Sequence, residues 1–196
     1  MYRRNYVNEI NFVTGNIHKL KEVEGILRPY GIKVKMIKVK KIEIQADELI
    51  AIAEYAAINA AKEAGVPVVV EDAGLFIEAL RGFPGPYSSY VFKTIGNDGI
   101  IKLMKGITDR RARFISVVAF AKPEGYVRTF VGVAEGLISV EPRGSMGFGF
   151  DPIFIPYEGD GRTFAEMSLD EKNRISHRGK AFRSLAKWLT GHKVIS

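Results

Sequence analysis

FVTGNIHKLKEVEGIL, residues Phe12–Leu27, decides the fold class. Its apolar opening continues from Ile10, so Ile10–Val13 reads as a short strand. Thr14-Gly15-Asn16 breaks that strand, and asparagine is a residue type that caps helices by accepting from backbone N–H groups. Behind it Ile17, Leu20, Val23, Ile26 and Leu27 recur at helical spacing, and Gly31 is suited to stop the helix. A strand passing directly into an amphipathic helix is a building unit of α/β proteins. The same turn also suits an anion. A helix N-terminus offers backbone N–H groups and the positive end of the helix dipole, and Gly15 lets a phosphate approach closely. Lys19 falls in the first turn and can reach that anion, whereas Lys21 projects elsewhere. On spacing alone a plain connecting turn, with an asparagine cap and solvated lysines, is the stronger reading. The Walker A pattern is absent, because its glycine-lysine-threonine ending is missing.

Working outward, Lys33–Ile44 mixes β-branched residues with lysines, as a half-exposed edge strand does. Asp47 is placed to cap a long Ala- and Ile-rich helix reaching Ala64, which Gly65 and Pro67 end. Val68–Val70 is a short apolar run typical of a central strand. Arg81–Ser89 reads as a loop and Asp98–Lys105 as a short helix. Ala112–Ala121 and Tyr126–Val140 read as long strands, joined around Lys122–Gly125 into a hairpin. Ser168 and Glu171 form a capping box for a C-terminal helix. A second helical stretch covers Arg178 to Leu189, with Phe182, Leu185, Trp188 and Leu189 on its apolar face. No repeat or low-complexity linker divides the chain, so residues 1–196 are expected to form one α/β domain with mixed strands.

The chain carries 29 Lys and Arg against 22 Asp and Glu, a formal charge of +7. That balance favours anionic partners without choosing among nucleic acid, phosphorylated small molecules and anionic lipid. With no cysteine, disulfides, thiolate metal sites and cysteine nucleophiles are excluded. No signal-peptide core forms, and no apolar run is long enough to span a membrane, so the expected location is the cytoplasm. Gln45 is the single glutamine among abundant Lys, Arg and Glu, a composition leaning towards that of thermophiles. Positive charge with aromatics beside glycines also fits a nucleic-acid-binding module, but no helix-turn-helix, zinc or RRM signature is present.

Three further stretches can carry chemistry. In VVVEDAGLFIEAL, Val68–Leu80, Glu71 and Asp72 follow an apolar strand, and α/β sheets bind ligands beyond the carboxyl ends of strands. Two adjacent acids there suggest a magnesium site or a general base. An extended backbone would turn them to opposite faces, so one of them is expected to face the site. Glu43 and Asp47 are further candidates for the same metal. GSMGFGFDPIFIP, Gly144–Pro156, interleaves glycines with Phe148 and Phe150 and places Asp151 before Pro152. Its aromatic faces can stack a base, or it is a tight turn with core phenylalanines. EKNRISHRGKAF, Glu171–Phe182, gathers Lys172, His177 and Arg178 at the junction of two helices, where they can donate to ligand oxygens or form a solvated basic face. His18 and His192 read as surface residues, and with His177 they give no metal-ligand spacing.

Together FVTGNIHKLKEV, VEDAGL with FPGPYS, GFGFDPIF and EKNRISHRGKA resemble the inosine triphosphate pyrophosphatases in order and spacing, over nearly the whole chain. The resemblance implies an elongated two-lobed α/β fold, with a mixed β-sheet, flanking helices and a central nucleotide-binding cleft. It also implies a homodimer, a Mg²⁺ requirement and release of pyrophosphate from deaminated purine nucleotides; no stable nucleic-acid partner and no membrane association are expected. By this similarity Thr14, Gly15, Asn16 and Lys19 hold the triphosphate, with backbone roles for Ile17 and His18. Asp72 matches the catalytic proton acceptor and a metal ligand, and Glu43 a further metal ligand. Ala73 lines the nucleotide site where relatives often carry a hydroxyl. Phe148, Gly149, Phe150, Asp151, Lys172, His177 and Arg178 match base- and phosphate-binding positions. The aromatic loop at 83–90 is a candidate dimer surface.

Overall fold

The computed structural model describes residues 8–39, 42 and 44–191. Strand β1 (Glu9–Val13) alternates enough to serve two layers, with Phe12 packed on one side of the sheet and Val13 on the other. Helix α1 (Ile17–Leu27) follows, ending in a 3-10 turn at Arg28–Tyr30 that Gly31 closes with φ 68°. Strand β2 (Lys33–Ile37) is shorter than expected and pairs parallel with β1. Helix α2 (Leu49–Ala64) begins one residue after Glu48, which occupies the cap position without a side-chain bond; the expected cap at Asp47 is not formed. Ala53, Ala56, Ala57, Ala60 and Ala61 are fully buried, so small side chains let α2 lie close on the sheet.

Strand β3 (Val68–Ile77) is the main departure from expectation. Its apolar run ends at Val70, yet the strand continues through Glu71-Asp72-Ala73-Gly74, because β5 (Arg111–Ala121) pairs with it antiparallel along its whole length, Val68↔Ala121 to Ile77↔Ala112. The other edge of β3 is interrupted. Pairing with β1 stops at Val13↔Val70, and β4 (Pro84–Gly85) joins only from Leu75↔Gly85. Residues 71–74 therefore border a notch in the sheet. Gly74 is required there, since a Cβ would lie 2.4 Å from the Gly85 carbonyl oxygen.

Helices α3 (Ser88–Thr94) and α4 (Gly96–Leu103) follow β4; α3 was not anticipated, and α4 starts earlier than expected. β6 (Val127–Ile138) completes the expected hairpin with β5, and β7 (Phe154–Pro156) extends the sheet beyond it. The order is β2-β1-β3-β5-β6-β7, with β4 on β3. Helix α5 (Leu169–Ile175) starts at the capping box read from Ser168 and Glu171, and Ser176 caps α6 (His177–Thr190) by accepting from Gly179 N–H at 3.0 Å.

The side chains divide into two lobes. Near β1, α1 and α6 pack Phe12, Leu27, Phe182 and Leu185 on one face of the sheet, while α2 packs on Val13, Val68 and Val70 on the other. At the far end Leu75, Ile77, Ile100, Met104, Phe114, Phe154 and Phe164 form a separate core. β3, β5 and β6 run through both lobes.

Candidate active site

The notch opens a cavity of about 720 Å³, lined by the β1–α1 turn, residues 71–73, α3, the segment 148–151, Lys172, His177 and Arg178. The turn is organised by its own side chains. Asn16 Oδ1 accepts from the N–H groups of His18 (2.9 Å) and Lys19 (3.2 Å), and Thr14 Oγ1 accepts from Asn16 N–H at 3.1 Å. The cap expected at Asn16 is present, and it occupies N–H groups that an anion would otherwise use.

Behind the turn runs a chain of alternating charges. Fully buried Glu71 faces Lys19 Nζ at 2.7 Å, accepts from Ser116 Oγ at 2.8 Å, and lies 3.1 and 3.0 Å from Arg178 Nε and Nη2. Arg178 Nη1 reaches Glu22 at 2.5 Å, Glu22 accepts from Lys172 Nζ at 2.7 Å, and Lys172 also donates to Asp151 at 2.5 Å. Asp151 accepts from Phe148 N–H at 2.8 Å, which ties the end of the chain to the glycine-rich segment. Burial pushes the Glu71 and Glu22 carboxyls up, but Arg178 with Lys19 or Lys172 outweighs it, and both lie below their ordinary range. For Asp151 burial wins, with Glu22 adding to it against Lys172, and its carboxyl is displaced upward.

Over this network lies Phe148. Lys172 Nζ and the Arg178 guanidinium sit 5.0 and 5.5 Å from its ring centroid, and His18 stacks on it at 5.3 Å with the planes 21° apart. Buried His177 stacks on Phe114 at 4.5 Å and 10°. Its Nδ1 is buried without a hydrogen-bond partner. Burial, then Arg178 and Lys172, hold this imidazole well below the usual histidine value, so it is neutral near pH 7.

A profile of the Ham1 family matches residues 10–188. The chain belongs to the Ham1 family. A dITP/XTP pyrophosphatase of Methanopyrus kandleri is 54% identical over 180 residues, covering 92% of this chain and 95% of its own. One from Thermococcus kodakarensis is 53% identical over 178 residues, covering 91% and 95%. A solved HAM1 protein from Coxiella burnetii superimposes with a TM-score of 0.82 at 35% identity, over 93% of this chain and 98% of that one.

In this Ham1-family cleft the residues named from sequence mostly converge. Thr14, Gly15, Asn16, His18, Lys19, Asp72, Ala73, Phe148, Gly149, Phe150, Asp151, Lys172, His177 and Arg178 all line it. Ile17 does not; its side chain is 51% exposed. Glu43 and His192 lie outside the described residues. His18 is exposed as expected, but its ring stacks over the cleft. Phe150 is core, in T-shaped contact with Phe92 at 5.5 Å, so Phe148 presents the stacking face. Glu71 and Asp72 lie within β3 rather than beyond its end, and both line the cleft. Sequence reasoning missed Glu22, Ser116 and the α3 residues Ser89 and Lys93; for α3, four-residue spacing was the available signal.

Proposed function

We propose that this chain hydrolyses non-standard purine nucleoside triphosphates, dITP and XTP among them, to the monophosphate and pyrophosphate. The observation that carries the reading is one cleft holding both an anion-suited turn with Lys19 and a stacking ring, Phe148, above buried Lys172 and Arg178. The dITP/XTP pyrophosphatases that match over more than nine-tenths of their length support it.

In this reading Gly15 and Lys19 hold the phosphates, and Phe148 stacks the base. Lys172, matched to the base- and phosphate-binding positions and bonded to Glu22 and Asp151 beneath Phe148, is read here at the base end. Arg178 spends three N–H groups on Glu22 and Glu71. One N–H on each terminal nitrogen remains for the oxygen at position 6 of hypoxanthine or xanthine. Adenine reverses the donor and acceptor pattern there and would leave buried groups unpaired, which gives large discrimination. Asp72 accepts the proton of the water that attacks the α-phosphorus, and pyrophosphate leaves without a covalent intermediate.

The donor set fits Mg²⁺. No cluster of three carboxylate or histidine ligands occurs among the described residues. Glu71 is committed to cations, while Asp72 lies half-buried on the cleft wall. Mg²⁺ commonly takes one or two carboxylates and completes its shell with water and substrate phosphate. Asp72, with Glu43 as second candidate, would hold it, and it would neutralise charge on the phosphate oxygens.

We also assign a homodimer, with exposed Phe83, Tyr87 and Tyr90 as its candidate surface, and action in the cytoplasm as a one-domain enzyme. Among the described residues no helix is long and apolar enough to cross a membrane. The deciding experiment is purified protein with Mg²⁺ and a panel of nucleoside triphosphates. Pyrophosphate released preferentially from dITP, ITP and XTP is expected. Orthophosphate as the first product would refute attack at the α-phosphorus.

A further inference from the structure

A triphosphate brings several negative charges into the cleft, so the charge already balanced there decides what can hold it. Lys19, Lys172 and Arg178 line the cleft, but each has a carboxylate within 3.0 Å: Glu71 for Lys19, Glu22 and Asp151 for Lys172, and Glu22 and Glu71 for Arg178. The turn is also partly spent, since the N–H groups of Asn16, His18 and Lys19 are bonded within it. Lys93 is different. It lines the same cavity from α3 in the opposite lobe, is exposed, and has no carboxylate partner among the described residues.

The base of Lys93 is fixed. Ser88 Oγ accepts from Leu75 N–H at 2.8 Å and donates to the Gly85 carbonyl at 2.7 Å, pinning the start of α3 to β3 and β4. Phe92 packs on Phe150, and Asn97 Nδ2 donates to the Gly149 carbonyl at 3.1 Å. Ser89 also lines the cleft and lies four residues before Lys93, so the two share a helical face.

We propose that Lys93 is the uncompensated cation that binds the phosphate chain of the substrate, with the Ser89 hydroxyl beside it, and so clamps that chain between α3 and the β1–α1 turn. This rests on the triphosphatase reading above. A charge-assisted contact of an exposed ammonium, taken at the low end of its range, corresponds to about tenfold in affinity.

The test compares wild type, Lys93→Gln and Lys93→Arg in the presence of Mg²⁺, with melting temperatures confirming that all three fold. Lys93→Gln is expected to raise KM for dITP about tenfold with kcat nearly unchanged. It should also flatten the dependence of KM on salt, and Lys93→Arg should restore both. Calorimetry with inorganic tripolyphosphate should show the same loss in Lys93→Gln, while dIMP binds all three proteins alike. Wild-type KM and tripolyphosphate affinity in Lys93→Gln, or equal weakening of dIMP, would overturn the proposal. If wild type fails to turn over dITP, the triphosphatase reading falls, and the tripolyphosphate comparison still decides Lys93.

Discussion

Two adjacent acids on β3 differ in burial, Glu71 being buried and Asp72 half-buried, and the roles proposed for them divide in the same way. Asp72→Asn keeps shape and removes a proton acceptor, so kcat for dITP should fall about 10²- to 10⁴-fold with little change in melting temperature. Glu71→Gln removes the charge facing Arg178 and Lys19 in a fully buried site. Breaking such a pair costs about 3–5 kcal/mol, which denaturant titration would read as lost stability. Equal stability loss in both variants would contradict this division. The pH dependence has a definite sign. His177 is displaced below 6.5 in the fold, so the unfolded chain takes up that proton first, and stability declines as pH falls below about 6.5, by ~1.4 kcal/mol per unit for one proton. Glu22 and Glu71 are displaced below 4.5, so their contribution is complete above about 4.5 and is lost below it; Asp151, displaced upward, acts in the opposite sense. Thermal melts of wild type and His177→Gln should differ in slope between pH 6.5 and 5. At this scale the places of Lys19, Asp72 and Arg178 on the cleft wall were legible because short motifs carry them. Glu22 was not: on α1 it reads as one more polar position, and its partners Lys172 and Arg178 lie 150 and 156 residues away.

Among the elements, α6 carries His177 and Arg178 and packs on β6 through a glycine. A Cβ at Gly132 would lie 2.0 Å from the His177 carbonyl oxygen and 2.5 Å from Ala181 N, both backbone atoms. Gly132→Ala therefore has to move the helix. It should cost about 1–3 kcal/mol and raise KM for the purine substrate, while Gly15→Ala, whose Cβ meets nothing within 4 Å, should leave stability unchanged. Circular dichroism melts and steady-state kinetics on the two variants would check this. Helices were legible where the signal is local, as in the Asn16 cap and the Ser168–Glu171 box. Strand β3 was under-read because Glu71-Asp72-Ala73-Gly74 looks like a strand end by composition; only its pairing with β5 keeps it extended. For β2 the lysine-rich stretch Lys33–Ile44 suggests a longer strand than the five residues that pair with β1, and its residues 40, 41 and 43 lie outside the described residues.

At the scale of the molecule, an elongated two-lobed α/β fold with a mixed sheet was expected; the sheet is mixed and seven-stranded, with packed cores on either side of the notch. Which residues would face the notch depended on where β1 stops beside β3, a matter of register that no local pattern encodes. The lobes are not hinged by a linker. β5 pairs with β3 over Ala112–Ala121 and with β6 over Arg111–Ala121, from Ala112 in the far core to Ala121 beside α2. One uninterrupted ladder of backbone hydrogen bonds therefore joins the two cores. After correction for intrinsic exchange rates, the amide protons at Phe114 and at Ala119 should therefore report the same free energy of opening, by one shared opening rather than two. A protease acting on the native protein would then find no half-open form to cut in these strands.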